Sequence, residues 1–388
     1  MEEYRCMIEY MGQSEEGQLI LTEDELNCLL PQDEYAVPYA DIYSFEVTNY
    51  RLFVNTERGT LTASLLGDRL TPLYTELYEK YNGKVLKSLF VEGSHVLETK
   101  GEYKYSDDAG SAQGSAVIKL FGRCLCILPP DDRARRIPLC FVQSIEQGSY
   151  SHKLILDTGE TYEMYRLGWD TEAFITKLNE CMKTIRRHAV RAALALDPAL
   201  DTLQSSRIAK LMPEGVAATM GALSAISPSF TSAVEARIKD SRANETYLHF
   251  REICGLDEIL VGAKSHLAGE NQEDVLWIVA SRSKGDGGVA AVEMALSEET
   301  AAATFLYRFA GGWEPFGRRL NHAMEAIDFH REVISMSDGE LKNRENANYR
   351  MAVRRTASLQ FLRKCFADRI IHRTVDSWKK ELDAKFEL

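Results

Sequence analysis

The feature that most limits what this chain can fold into is an internal repeat at an offset of 100 residues. The first copy reads QLILTEDELNCLLPQDEYAVPYADIYSFEV from Gln18, and the second reads AVIKLFGRCLCILPPDDRARRIPLCFVQSIE, ending at Glu146. Val37-Pro38-Tyr39 aligns with Ile137-Pro138-Leu139, Ser44 with Ser144, Glu46 with Glu146, and Gly59 with Gly159. Leu66-Gly67 then matches Leu167-Gly168, one residue out of step. Self-similarity of this length marks a duplicated folding unit.

Both copies share one physical grammar. Alternation at Tyr4, Cys6, Ile8 and Tyr10 reads as a strand, and Val96 to Tyr105 is similar. Further strands are expected around Leu19 and Leu21, at Leu26 to Leu30, and in a segment opened by Val37-Pro38. Thr56-Glu57-Arg58-Gly59 and Asp157-Thr158-Gly159 are hairpin signals. Each copy ends in helical periodicity. Leu70, Leu73, Leu77 and Tyr81 share a face after the start signal Thr71-Pro72 in the first, and Phe174, Leu178 and Met182 do so in the second.

Six or seven strands closed by one amphipathic helix, carrying G-x-L-x-L-T and then I/V-P-x-x-x-I/V-x-S-x-E, resembles the pleckstrin-homology (PH) superfold, including its bacterial PH-like and GRAM-like branches. The resemblance covers residues 1–90 and 91–188. It implies two bent β-sandwich or barrel domains, each plugged at one end by its C-terminal helix. A helical connector, 189–230, and an α+β domain, 231–388, are expected to follow.

From about residue 189 alanine becomes frequent, and Pro198, Pro213 and Pro228 punctuate the chain into short helices. Val216 to Ile226 reads as a packed inter-domain helix. It lacks the basic and aromatic residues of an interfacial membrane helix. A helix is expected over 231–254. Four strands then follow, at 259–261, 275–280, 289–294 and 304–309, as an antiparallel meander, with helix from Trp313 onward. Ser283 to Gly288 lacks the phosphate-loop spacing and reads as a hairpin.

Charge and motif content bound the function. The net charge of −12 opposes general coating of nucleic acid or anionic membrane, so no nucleic-acid partner is expected. The eight cysteines are scattered without C-x-x-C spacing, which suggests a reducing cytoplasm, no metal and no cofactor. Cys124 and Cys126 read as small core residues on one strand face. No secretory signal or membrane-spanning run is read. His322, Asp328 and His330 on a presumed helix, with His372 near Arg369 and Arg373, match no catalytic signature.

Arg123, Arg133, Arg135 and Arg136 form the one candidate ligand site, for an anionic group. Guanidinium suits phosphate, and basic residues gather near the early strand loops in lipid-binding PH domains. The neighbouring Asp131 and Asp132 oppose it. Residues 1–90 carry 7 Lys+Arg against 16 Asp+Glu, whereas 340–388 carry 12 against 7, so the two ends could attract each other. The reading reached is a non-catalytic scaffold that binds protein partners through sheet edges and grooves, with basic partners favoured for the acidic first unit. The alternatives are a peripheral membrane adaptor acting through the Arg133–Arg136 loop, and an enzyme of unknown type in the C-terminal domain.

Overall fold

The structure, a computed structural model, describes residues 2–265, 275–295 and 303–387. It is mixed α+β, with two seven-stranded antiparallel sheets followed by a third sheet of six strands.

The first unit contains β1 (Glu3–Tyr10), β2 (Gln13–Leu21), β3 (Glu25–Leu29), β4 (Glu34–Pro38), β5 (Ile42–Thr48), β6 (Arg51–Thr56) and β7 (Gly59–Ser64), in the spatial order β4-β3-β2-β1-β7-β6-β5. Strand alternation decides which face is inside. Tyr4, Cys6, Ile8 and Tyr10 of β1 are buried while Glu3, Arg5 and Glu9 are exposed. Helix α1 (Leu70–Ser88) then lays Leu70, Leu73, Leu77, Tyr81 and Val85 into the same core. Each such leucine, withdrawn from water, contributes about 1.5–3 kcal/mol.

The second unit repeats the plan with β8 (Leu97–Asp107), β9 (Gly110–Leu120), β10 (Cys124–Leu128), β11 (Arg135–Pro138), β12 (Val142–Gln147), β13 (Ser151–Leu156), β14 (Thr161–Tyr165) and α2 (Thr171–Leu196), in the order β11-β10-β9-β8-β14-β13-β12. The copies agree even in their irregularities. A β-bulge falls between Ile42 and Ser44 in one, and between Val142 and Ser144 in the other. Leu65 and Gly67 adopt positive φ, as do Arg166 and Gly168. This left-handed turn redirects the chain from the last strand into the helix. Val37-Pro38 closes β4 instead of opening a strand, because a 3-10 turn over Tyr39–Asp41 separates it from β5.

The third sheet runs β15 (Ala217–Thr219), β16 (Ile259–Lys264), β17 (Val275–Lys284), β18 (Gly287–Ala295), β19 (Ala303–Ala310) and β20 (Phe366–Ile371), every pairing antiparallel. The expected four-stranded meander is its centre. The two edge strands come from segments expected to be wholly helical. The helices are α3 (Thr202–Leu211), α4 (Met220–Ile226), α5 (Pro228–Lys239), α6 (Asn244–Ile253), α7 (Trp313–Ala326), α8 (Glu332–Ser335), α9 (Asp338–Leu341), α10 (Ala347–Arg355), α11 (Ala357–Cys365) and α12 (Val375–Phe386).

Helices cover both faces of this sheet. Leu276, Ile278 and Ala280 pack toward α4–α6 and α12, whereas Val275, Trp277 and Val279 pack toward α7, α8 and α11. A sheet buried on both sides has no polar face, which is why β17 reads as the continuous apolar run VLWIVA. The helix expected over 231–254 is α5 and α6, broken at Asp240–Ala243. The second half of α2 runs past residue 188 and packs Ala193 into the core beneath the third sheet. No described helix is long and apolar enough to cross a membrane.

Candidate functional site

The four arginines singled out by sequence do not share one site. Arg133 turns back on Asp131, donating from Nε at 2.9 Å. Arg135 and Arg136 are adjacent on β11, so their side chains leave on opposite faces. Arg135 pairs with Asp107 at 2.5 Å and lies 4.4 Å above the Tyr105 ring. Arg136 is buried against α7, where it donates to the Glu325 carbonyl and stands 3.7 Å from Asp328. Arg123 pairs with Glu214 at 3.0 Å and donates to Ser265 Oγ at 2.9 Å. Each guanidinium therefore already has a carboxylate.

Arg123 and Arg136 do meet one cleft, of about 690 Å³, where residues 90–94, the second repeat and the chain around Lys264 and Asp328 converge. Its floor is a charge cluster that sequence reasoning missed. Lys264, 1% exposed, lies 2.8 Å from both Glu325 and Asp328. Burial works against the Lys264 charge, but the two carboxylates outweigh it and hold the ammonium above its ordinary range. Burial pushes Glu325 up, only partly offset by Lys264 and Arg136. The signal available beforehand was a lysine ending the apolar run ILVGA of a buried strand.

Cys124 also lines this cleft, while Cys126, on the same strand, is fully buried. Arg136 stands near both thiols, which share one face of β10.

The histidines separate as well. Helix α7 ends at Ala326, and Asp328 and Phe329 take positive φ, so His330 lies beyond the helix that carries His322. His330 stacks on Phe90 with ring centres 4.7 Å apart and turns Nδ1 to the Ile327 carbonyl. His322 is buried 3.4 Å from Glu160. Burial pulls the His322 imidazole down to about 4, and burial with Asp107 and Asp108 pushes Glu160 up to about 7. His372 approaches the buried Glu293 at 2.9 Å, and Thr304 bridges Glu293, His372 and Trp378. Each imidazole has a carboxylate near it, in three different places. Asp328 beside His330 is committed to Lys264.

A different pair of places relates directly to the repeat. In the first unit, edge strand β5 and helix α1 form a groove that the second unit fills. Leu128-Pro129-Pro130-Asp131 enters it from the end of β10, with a bend at Pro130. Phe45 N donates to the Pro130 carbonyl at 3.0 Å, Tyr78 Oη to Leu128 at 2.6 Å and Tyr81 Oη to Asp131 at 2.9 Å, and Ser44 bridges Asp131. The Phe45 ring packs edge-on against Tyr74, Tyr78 and Tyr81. Nearby, Arg354 and Arg355 of α10 donate to the Ile42 carbonyl.

In the second unit the equivalent edge strand, β12, pairs only with β13 among the described strands. Gln143, Ser144, Glu146 and Gln147 are exposed and Ile145 is half-buried. A groove of about 440 Å³ lies between the start of β12 and α2, flanked by Met182, Ile185, Arg186 and Lys210. It adjoins the counterpart of the occupied groove: Ile145 stands where Phe45 does and Met182, by the one-residue offset, where Tyr81 does, while the groove itself corresponds to the surface at Tyr39–Asp41, Glu57 and Lys84 that faces α10 in the first unit. No protein-family model matches the chain, and no curated protein matches it.

Proposed function

We propose that the chain is a non-catalytic protein-interaction scaffold whose first two units are PH-like domains. Seven antiparallel strands in one order, closed by a helix and repeated, support the PH-like part of the reading. The observation that carries the scaffold part is the contrast between the two grooves. One unit is satisfied by a segment of its own chain, while its twin keeps a strand edge and an adjoining groove accessible. An unpaired edge is a template for another chain, and β-addition with side-chain pockets is a recurring mode of peptide recognition.

Two acidic residues of the first unit are paired with basic residues of the chain's C-terminal part. Asp41 pairs with Arg350 at 2.5 Å and Glu25 with Arg344 at 2.8 Å. The open surface for a partner is therefore assigned to the second unit. The eight free thiols fit a reducing compartment such as the cytoplasm.

Hydrogen–deuterium exchange on the full chain tests the reading. The β12 amides at Ser144 and Ile145 are expected to exchange at least tenfold faster than the Phe45 amide of β5. Equal protection of the two edges would remove its basis. Headgroup binding has less support, since all four arginines are paired. In liposome co-sedimentation the chain and its Arg133→Ala/Arg135→Ala/Arg136→Ala variant are expected to behave alike.

A further inference from the structure

The filled groove shows what kind of segment this strand-and-helix surface accepts. Its occupant presents three carbonyls, those of Leu128, Pro130 and Asp131, to donors on β5 and α1. Proline loses nothing in that role, because it lacks only the N–H and its fixed φ restricts the segment before binding.

The occupant has a direction. Pro130 lies opposite Phe45 and Asp131 opposite Ser44, so it runs antiparallel to β5 and its acidic end points toward the start of that strand. Asp132, the next residue, falls within the electrostatic reach of Arg354. In the second unit the start of β12 is likewise basic. Arg186 and Lys210 flank the groove there, against the single carboxylate of Asp157. Lys183, Arg187 and Arg191 are exposed further along α2.

We infer that the exposed edge of β12, together with the groove at its start, binds a protein segment in which an apolar residue and prolines are followed by acidic residues, running antiparallel to β12. Its carbonyls would accept from the Ile145 N–H, its apolar residue would pack on Ile145 and Met182, and its carboxylates would meet Arg186 and Lys210. This assignment rests on the scaffold reading and specifies the partner's chemistry.

The test uses the full chain and the labelled hexapeptide Ile-Leu-Pro-Pro-Asp-Asp, which copies the internal occupant, followed by fluorescence anisotropy. Saturable binding is expected, at least tenfold weaker for Ile-Leu-Pro-Pro-Lys-Lys. The Arg186→Glu/Lys210→Glu variant alters only exposed side chains and should keep the native melting temperature. It is expected to reverse the preference and bind the lysine peptide better. Met182→Asp should weaken both peptides.

Equal binding of the two peptides, or binding indifferent to the charge-reversed variant, overturns the assignment, as does no saturable binding at millimolar peptide. If that failure accompanies fast β12 amide exchange, only the partner chemistry is wrong. If the β12 amides are as protected as those of β5, the scaffold reading fails with it.

Discussion

Lys264 is held by geometry that single replacements cannot preserve. Its ammonium has lost its water and is balanced by Glu325 and Asp328, with Arg136 behind them. Removing one partner of a buried pair strands a charge. Lys264→Met is therefore expected to destabilise the chain by about 3–5 kcal/mol, whereas Lys264→Met/Glu325→Leu should recover much of the loss. Urea unfolding of the wild type, both single variants and the double variant measures this coupling. Additive losses would mean that the pair is not coupled.

The Glu160–His322 contact makes a second prediction at this scale. The folded state favours the neutral form of each group, with Asp107, Asp108, Arg135 and Arg319 facing them. For His322, whose folded value of about 4 lies below its ordinary 6.5, stability rises with pH between about 4 and 6.5. For Glu160, raised from 4.5 to about 7, stability falls with pH from about 4.5 to 7. The slopes oppose each other between about 4.5 and 6.5. Glu160→Gln removes the falling slope, so the variant should melt higher than wild type at pH 8, by on the order of 2 kcal/mol, and by much less at pH 5. Thermal melts at the two pH values check it, and an equal difference at both would contradict it. Neither pairing was legible in the sequence. Lys264 and Glu325 are 61 residues apart and His322 and Glu160 still further, and periodicity reports a face without its tertiary neighbour.

Local elements were legible where their own residues determine them. The hairpins at Gly59 and Gly159 form as the sequence indicates, and the Ser283–Gly288 segment is a two-residue turn with Gly285 at positive φ. What failed were elements whose state is set from outside. Ala217–Thr219 is a strand because β16 offers a free edge. Phe366–Ile371 is a strand because β19 does. Alanine richness in the first points to helix locally, and sheet pairing overrides that preference; Phe366, Ile370 and Ile371 in the second suit a strand once an edge is offered.

The approach of β15 to β16 depends on Gly262. A Cβ there would collide with Trp277 Nε1, the Val216 carbonyl and the Ala217 Cα. Two of these are backbone and cannot swing away, so Gly262→Ala should destabilise by about 2–3 kcal/mol. It should also raise hydrogen exchange at Ala217–Thr219 before it does so in β17. Uniform loss of protection across the sheet would show that β15 is not the weak edge.

At the scale of the molecule, the opposite charge of the two chain ends is realised within one chain. Helix α10 lies on the first unit, with Met351 in that unit's core, Arg350 on Asp41, and Arg355 buried against Tyr81 Oη. The chain beyond the repeats touches the first repeat through α10 and the second through α7. In this arrangement one groove is filled from within the chain while the edge of β12 is accessible. The charge totals showed that attraction was possible; only the fold shows that it is intramolecular, because composition carries no information about which copy of the chain supplies the partner.

Charge exchange distinguishes the two cases. Arg350→Asp places a carboxylate against Asp41 in a partly buried site, and should cost about 1–3 kcal/mol with fraying of α10. Asp41→Arg should behave similarly. Combining both in one chain should restore most of the stability, since the pair is re-formed with its polarity reversed. If α10 instead docked on a neighbouring copy, mixing the two single variants would rescue them as dimers, in a concentration-dependent way. Rescue confined to the doubly exchanged chain, read by thermal melts at several concentrations, is the expected result.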